Sequence, residues 1–229
     1  EEGAGPRRVV EARAGLPPWP DLAFDEDVLA AHLEERGADD VTSALRGMFE
    51  AYAARFGKPR WGEKTPDHLA HLDAIARALP EARFVHLVRD GRGVAASVLG
   101  LPFAPGDGSI EAAAADWRDR ILAGRAAAVD GVLEVRYEHL VRDPEAVLRE
   151  VCAFVDLDFD PVMLRAHEQA DARAAEVRPR AAGVQEDRSR PPDPAIADRW
   201  REQLSAEDVA RFEAVAGDLL ADLGYEVGS

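Results

Sequence analysis

The sequence predicts an α/β fold in which a parallel sheet is flanked by helices in three layers. The runs FVHLV (84–88) and VLEVR (132–136) are short, apolar and β-branched, and each is followed by a helical pattern, as strands of a parallel sheet usually are. A third short strand is predicted to run into Lys64. Since α/β domains of this size often share one core, the 229 residues are expected to form a single domain, residues 1–229.

Two amphipathic helices are predicted after an irregular opening that ends near Phe24. Their sequences are DEDVLAAHLEERG (25–37) and DVTSALRGMFEAYAARFG (40–57), and each ends at a glycine in the position that commonly follows a helix. The next helix is predicted to leave from Thr65, a candidate cap, with Pro66 in its first helical position.

Helices also dominate the C-terminal part of the sequence. A long helix is predicted after Ser109, another after the candidate cap Asp143, and a final one that ends at Gly224. Residues 170–194 have no period and are rich in Pro and Arg, which predicts a loop able to close over a site.

The segment RDGRG between the strand at 84–88 and its helix has the features of an anion site. Asp90 is a candidate helix cap, while Gly91 and Gly93 leave backbone amides bare at the positive end of the helix dipole. Arg89 and Arg92 add formal charge. The sequence therefore predicts that a phosphate binds at an open helix N-terminus here.

Composition limits the partners of the chain. With 44 acidic and 28 basic residues the net charge is -16, which argues against binding to nucleic acid or to an anionic membrane. Residues 58–92 are nevertheless net positive, so an anion is expected there. The sequence contains no apolar run of about 18 residues and no signal peptide, and a cytoplasmic protein is expected. Cys152, in the apolar run VCAFV, is expected in the core.

Several motifs together resemble a known enzyme family. WGEKTP (61–66), RFVHLVRDGRGVAAS (83–97), YEHLVRDP (137–144) and the late segments DRWREQLS and LLADLGYE are similar to the sulfotransferases that use 3′-phosphoadenosine 5′-phosphosulfate. The likeness is to their bacterial branch, which is related to the tyrosylprotein enzymes. It runs from about Trp61 to Glu226, and it implies a fold like that of P-loop nucleoside triphosphate hydrolases.

The resemblance implies a role for individual residues. Arg89 and Ser97 would bind the 3′-phosphate of the donor, and Tyr137 would contact its nucleotide. Lys64 corresponds to a lysine near the 5′-phosphosulfate, where a fixed ammonium stabilises the charge that develops during transfer. Arg92 is expected to add to the cofactor site.

Two further expectations concern the loop and the general base. Arg188, in the predicted loop, is also assigned to the cofactor. An acceptor hydroxyl must lose a proton, and Glu63, His68 and His71 are candidate bases close to Lys64 in sequence. No metal is expected in this chemistry.

One family feature is not found in the sequence. The family begins with a strand and a loop of the form Pro-Arg-Ser-Gly-Thr-Thr, and PRRVVEARAG lacks its Ser-Gly-Thr run. We expect that this first strand and loop precede residue 1 in a longer protein, although a natural loss is the alternative.

The expected reaction is transfer of a sulfuryl group to a hydroxyl or amine of a small molecule, a lipid or a peptide. The alternative is a non-catalytic or truncated domain of the same fold that binds nucleotide or a partner. A nucleotide-dependent kinase is disfavoured because the sequence has no glycine-rich loop ending in Gly-Lys-Ser/Thr.

Overall fold

The chain divides into two compact units in a computed structural model that describes residues 25–127, 129–170, 191 and 193–228. The first unit takes the described residues within Glu1–Thr65 and Arg165–Pro191. The second takes those within Pro66–Leu164 and Pro192–Ser229. Both units contain helices, and the parallel sheet lies in the second.

The first unit contains the two helices that the sequence predicts, α1 (Glu26–Glu35) and α2 (Val41–Arg55). Asp25 caps α1, and Asp40 forms a capping box with Ser43 at the start of α2. The glycines after both helices have positive φ, which confirms the predicted helix ends. Apolar side chains between the helices form a small core, namely Leu29, Ala30, Leu33, Ala38, Ala44 and Met48.

The prediction of a strand before Lys64 is wrong. Residues 60–65 form no strand or helix, and Trp61 instead stacks on Phe49 of α2 with ring centroids 4.6 Å apart. The hydroxyl of Thr65 accepts no backbone N–H of the following 3₁₀ helix among the described residues, and it donates to Oε1 of Glu63 at 2.6 Å. A side-chain stack and a local hydrogen bond therefore fix this segment in place of a sheet ladder.

The second unit contains the parallel sheet, which confirms the α/β class. Strands β1 (Phe84–Val88) and β2 (Val132–Arg136) pair in parallel, with Phe84 opposite Val132 and Val88 opposite Arg136. The carboxyl ends of the two strands are therefore level, so the residues that follow them emerge at one edge of the sheet. Ligands of α/β proteins bind at such an edge.

Helices make up most of the rest of the second unit. The α-helices are α3 (Leu72–Ala78), α4 (Gly91–Val98), α5 (Ile110–Ala126), α6 (Tyr137–Arg142), α7 (Pro144–Phe154), α8 (Trp200–Gln203) and α9 (Ala206–Asp222). Short 3₁₀ helices span Pro66–His71 and Pro194–Ala197, and a third, Pro161–Gln169, contributes residues to both units. Ser109 caps α5, and Asp143 caps α7 with Pro144 in the first position, as predicted.

The main core lies where α4, α5 and α9 meet the end of β1. Phe212 and Ala114 are fully buried there, and Trp117 packs against Phe212 with centroids 5.9 Å apart. Gly91 lies between these two aromatic rings. A Cβ atom at this position would stand 2.5 Å from Cδ2 of Trp117 and 2.6 Å from Cζ of Phe212. Only glycine fits at the start of α4.

We expect Gly91→Ala to destabilise the protein by about 1–3 kcal/mol, the usual cost of an added methyl group in a packed core. The rings cannot move away because Trp117 and Phe212 are themselves buried. Urea unfolding measures the change. Gly62→Ala is the matched control, because no atom lies within 4 Å of its added Cβ. Equal stability of the two variants would contradict this account of Gly91.

Cys152 is buried and lies 3.7 Å from the sulfur of Met163, which confirms its place in the core. In the part of the chain that the structure describes, no helix combines the length and the apolar character needed to cross a membrane.

Candidate functional site

The site is built at the junction of β1 and α4. Asp90 caps α4 by accepting the backbone N–H of Arg92 at 2.9 Å, and its carboxylate is almost completely buried. The structure therefore confirms Asp90 as the helix cap, and its carboxylate accepts one of the amides at the helix N-terminus. An anion at this junction would meet the negative charge of Asp90, so cationic side chains are needed to hold it there.

Arg92 forms a buried ion pair beneath the junction. Its guanidinium is 3% exposed and donates to both carboxylate oxygens of Asp90 at 2.8–3.0 Å and to Glu213 of α9 at 2.7 Å. It also lies 4.1 Å from the ring centroid of Trp200. Burial alone would lower the pKa of Arg92, but the hydrogen bonds and charges of Asp90 and Glu213 outweigh it and raise the pKa. The sequence predicts that the positive charge of Arg92 serves a ligand, but Asp90 and Glu213 already pair with it.

Arg89 is incompletely bonded, as is Arg136 at the end of β2, whose buried Nε also has no partner among the described residues. One terminal nitrogen of Arg89 donates to the carbonyl of Ile196 at 3.4 Å, whereas its Nε–H is buried and has no partner among the described residues. The guanidinium lies over the ring of Tyr137, 4.8 Å from the centroid. A buried guanidinium donor without a partner is costly, and a bound anion would remove that cost.

Gly93 makes room for Arg89. A Cβ at this position would approach the Arg89 guanidinium to 3.1 Å at Nε and 3.3 Å at Nη2. The second glycine of RDGRG therefore admits the arginine side chain along the first turn of α4, a different role from the bare amides expected from the sequence.

Tyr137 and Glu138 follow directly after β2 and face the same junction. Tyr137 lies against Arg89, which agrees with its predicted place beside the cofactor but does not test it. Glu138 is 6% exposed and accepts the backbone N–H of Asp90 at 2.8 Å and the hydroxyl of Tyr225 at 3.1 Å. Sequence reasoning missed Glu138 and Tyr225, and the only available signal was the position of Glu138 beside Tyr137.

Ser97 lies in the last turn of α4 and is exposed. Its hydroxyl donates to the carbonyl of Val94 at 2.6 Å. The proton of Ser97 is therefore already used in a hydrogen bond within the helix, while the oxygen can still accept one. The role of Ser97 at a phosphate stays a prediction.

The predicted catalytic residues are divided between the two units. Lys64 and Glu63 belong to the first unit, where both are exposed. Glu63 accepts a hydrogen bond from the hydroxyl of Thr65. His68 and His71 belong to the second unit, on the 3₁₀ helix Pro66–His71. The spacing of three puts both histidines on one side of this helix, and His68 is the more buried of the two.

Arg188 and most of the predicted loop at 170–194 lie outside the described residues. Within the described residues, no group of three or more His, Cys, Asp or Glu side chains is arranged to hold a metal ion.

A family comparison matches residues 4–161 of the chain to the Sulfotransferase family. Protein-tyrosine sulfotransferase 1 from Danio rerio is 27% identical over 209 residues. The aligned part covers 85% of this chain, and the chain spans only 57% of the length of that relative.

Two solved structures resemble the fold. The sulfotransferase domain from the olefin synthase of Synechococcus PCC 7002 matches 100% of this chain and 82% of its own, with a TM-score of 0.58 and 24% identity. The sulfotransferase domain from the curacin biosynthetic pathway matches 99% of this chain and 88% of its own, with a TM-score of 0.52 and 17% identity. The two matches show that this chain and these domains share a fold.

Proposed function

This chain belongs to the sulfotransferase family, and we propose that it transfers a sulfuryl group from 3′-phosphoadenosine 5′-phosphosulfate to a hydroxyl or amine of an acceptor. The family match runs from the first unit into the second, which supports the view that both units act as one sulfotransferase domain. The products are the sulfated acceptor and adenosine 3′,5′-bisphosphate.

The observation that carries the proposal is the buried Nε–H of Arg89, which has no partner among the described residues. A guanidinium whose donors are not all engaged suits a phosphate oxygen, as the 3′-phosphate of the donor would present. The ring of Tyr137 beside it offers an apolar surface for the nucleotide. Arg89 and Tyr137 therefore form the nucleotide-binding part of the proposed site, with Ser97 as a further phosphate contact.

Arg92 has a different part in this proposal. Since its donors already bond Asp90 and Glu213, we assign it to holding the junction in place and not to direct contact with the phosphate.

The chemical step requires a cation and a base. The acceptor atom forms a bond to sulfur while the bond from sulfur to the bridging oxygen of the 5′-phosphate breaks, and negative charge grows on that oxygen. Lys64 is proposed to stabilise this charge with its ammonium group. The proton of the acceptor passes to a carboxylate or imidazole, for which Glu63 and His68 remain the proposed candidates.

The acceptor is proposed to be a small molecule, a lipid or a peptide that carries a hydroxyl or amine. The relative from Danio rerio is named for protein tyrosine, and the two structural neighbours belong to an olefin synthase and to a biosynthetic pathway. These names support hydroxyl-bearing peptides and biosynthetic intermediates as the first acceptors to assay.

Arg89→Ala should weaken the binding of adenosine 3′,5′-bisphosphate by about 1.5–3 kcal/mol, the range for a lost hydrogen bond to a charged group. Ser97→Ala should cost less, because its hydroxyl proton is already bonded within α4. Isothermal titration calorimetry measures both variants.

Adenosine 5′-monophosphate provides the control, since it lacks the 3′-phosphate and should bind parent and Arg89→Ala almost equally. A folded Arg89→Ala protein with parental affinity for the bisphosphate would refute the 3′-phosphate assignment. An equal loss for both nucleotides would refute it as well.

A further inference from the structure

The peptide group between Arg89 and Asp90 is held at both of its polar ends. Its carbonyl oxygen, on Arg89, accepts the indole N–H of Trp117 at 3.1 Å. Its N–H, on Asp90, donates to Oε1 of Glu138 at 2.8 Å. Because a peptide group is planar, two hydrogen bonds from opposite sides fix the orientation of the whole plane. This plane sets the direction in which the Arg89 side chain leaves the backbone.

Glu138 is itself held by a residue that follows α9. Its second oxygen, Oε2, accepts the hydroxyl of Tyr225 at 3.1 Å. Burial and the nearby carboxylate of Glu138 raise the pKa of Tyr225, so the hydroxyl stays protonated and donates. The ring of Tyr225 lies 4.1 Å from the guanidinium of Arg136, which limits its movement. The three elements that support the peptide are therefore α5, α6 and the segment after α9.

We propose that Glu138 and Tyr225 are positioning residues for Arg89. This inference rests on the proposed function, in which Arg89 binds the 3′-phosphate. The guanidinium stands roughly 6 Å from its Cα, so a peptide rotation of about 10° would displace it by about 1 Å. Binding groups must be held within about 0.5 Å to keep their geometry. Loss of the Glu138 acceptor should therefore impair Arg89 without removing it.

The position of the carboxylate also explains why an acidic residue is buried here. Asp90 already places one carboxylate at the junction, and Arg92 compensates it. Glu138 forms no ion pair among the described residues and bonds only a backbone N–H and a phenol. Burial of a carboxylate without a cationic partner costs free energy, and the two hydrogen bonds of Glu138 offset part of that cost while they fix the peptide.

The test compares two nucleotides in Arg89→Ala and in four further variants of the full chain. Glu138→Leu has a similar volume but no acceptor, and should lower the affinity for adenosine 3′,5′-bisphosphate about 10-fold, as small displacements of a binding group commonly do. Its affinity for adenosine 5′-monophosphate should change little. Glu138→Gln is the matched control, because its amide oxygen can still accept from Asp90 and should preserve the bisphosphate preference. Tyr225→Phe should show a weaker loss than Glu138→Leu.

The fourth variant combines Glu138→Leu with Arg89→Ala. If Glu138 acts through Arg89, the leucine substitution should have no further effect on the ratio of the two affinities once Arg89 is absent. An unchanged ratio in folded Glu138→Leu, with a reduced ratio in Arg89→Ala, would overturn the positioning role alone. If Arg89→Ala also keeps the parental ratio, the 3′-phosphate assignment fails and the inference falls with it.

Two other results would also decide against the proposal. An equal loss of both nucleotides in Glu138→Leu would show a general structural role. If Glu138→Leu does not fold, Tyr225→Phe decides, because it removes one oxygen atom from a partly buried ring. A parental ratio in Tyr225→Phe would then overturn the positioning role.

Discussion

Arg92→Leu is expected to destabilise the protein by about 3–5 kcal/mol, the usual cost of removing one partner from a buried ion pair. The substitution leaves Asp90 and Glu213 as buried carboxylates without their common cation. It also removes the stacking of the guanidinium on Trp200. Since domains are commonly stable by about 5–15 kcal/mol, a folded variant should remain measurable by urea unfolding.

Arg120→Leu is the matched control for this prediction. Arg120 also bonds two carboxylates, those of Asp116 and Asp67, but its side chain is 47% exposed. Such a surface pair contributes about 0–1 kcal/mol. Burial should therefore make the difference between the two arginines. A cost for Arg92→Leu no larger than that for Arg120→Leu would contradict the importance assigned to the buried pair.

Lys64→Ala is expected to lower the rate of sulfuryl transfer by about 100-fold or more, since loss of one preorganised donor costs about 2.7–4 kcal/mol in the transition state. Stability should change by no more than about 0.5 kcal/mol, as for most surface substitutions. Lys64 is exposed, so its truncation leaves no cavity in a core. Transfer from a radiolabelled donor to the best acceptor of a hydroxyl and amine panel measures the rate.

The chain supplies its own control, because Lys58 and Lys64 are its only lysines. Both are exposed in the first unit, so Lys58→Ala makes a comparable change in charge and surface. It should retain the parental rate. Parental turnover in Lys64→Ala, or a loss of turnover that follows from unfolding, would remove Lys64 from the chemical step and direct attention to Lys58.

The sequence predicted correctly those helix starts and ends that depend on residues close together in the chain. The caps Ser109 and Asp143 and the glycines after α1 and α2 were correctly placed because each depends on neighbours within one helical turn. The parallel pairing of β1 and β2 followed from strands separated by helices. The strand before Lys64 failed because Trp61 is fixed by Phe49, twelve positions earlier, and a short apolar pattern contains no information on that contact.

The candidate site could be predicted only in part, for a related reason. Sequence proximity put Arg89 and Arg92 in one motif, but it did not show that Arg92 points inward to Glu213, which lies 121 positions away. Nor did it show that Glu138 supports the Arg89 peptide, although it correctly predicted Asp90 as the helix cap. Partners brought together by the tertiary fold decide which charges stay available to a ligand.

The bond from Arg92 to Glu213 has a consequence for how the protein is made. Residue 92 leaves the ribosome long before residue 213, and the pair cannot form until the 121 positions that follow Arg92, up to and including Glu213, have been synthesised. Closing so long a loop is entropically unfavourable, and contacts of this kind form late in folding. Until then the strand, turn and helix around Arg89 lack the support of α9. The junction around Arg89 is therefore complete only after residue 213 has been added, and folding of the second unit depends on a contact between distant parts of its sequence.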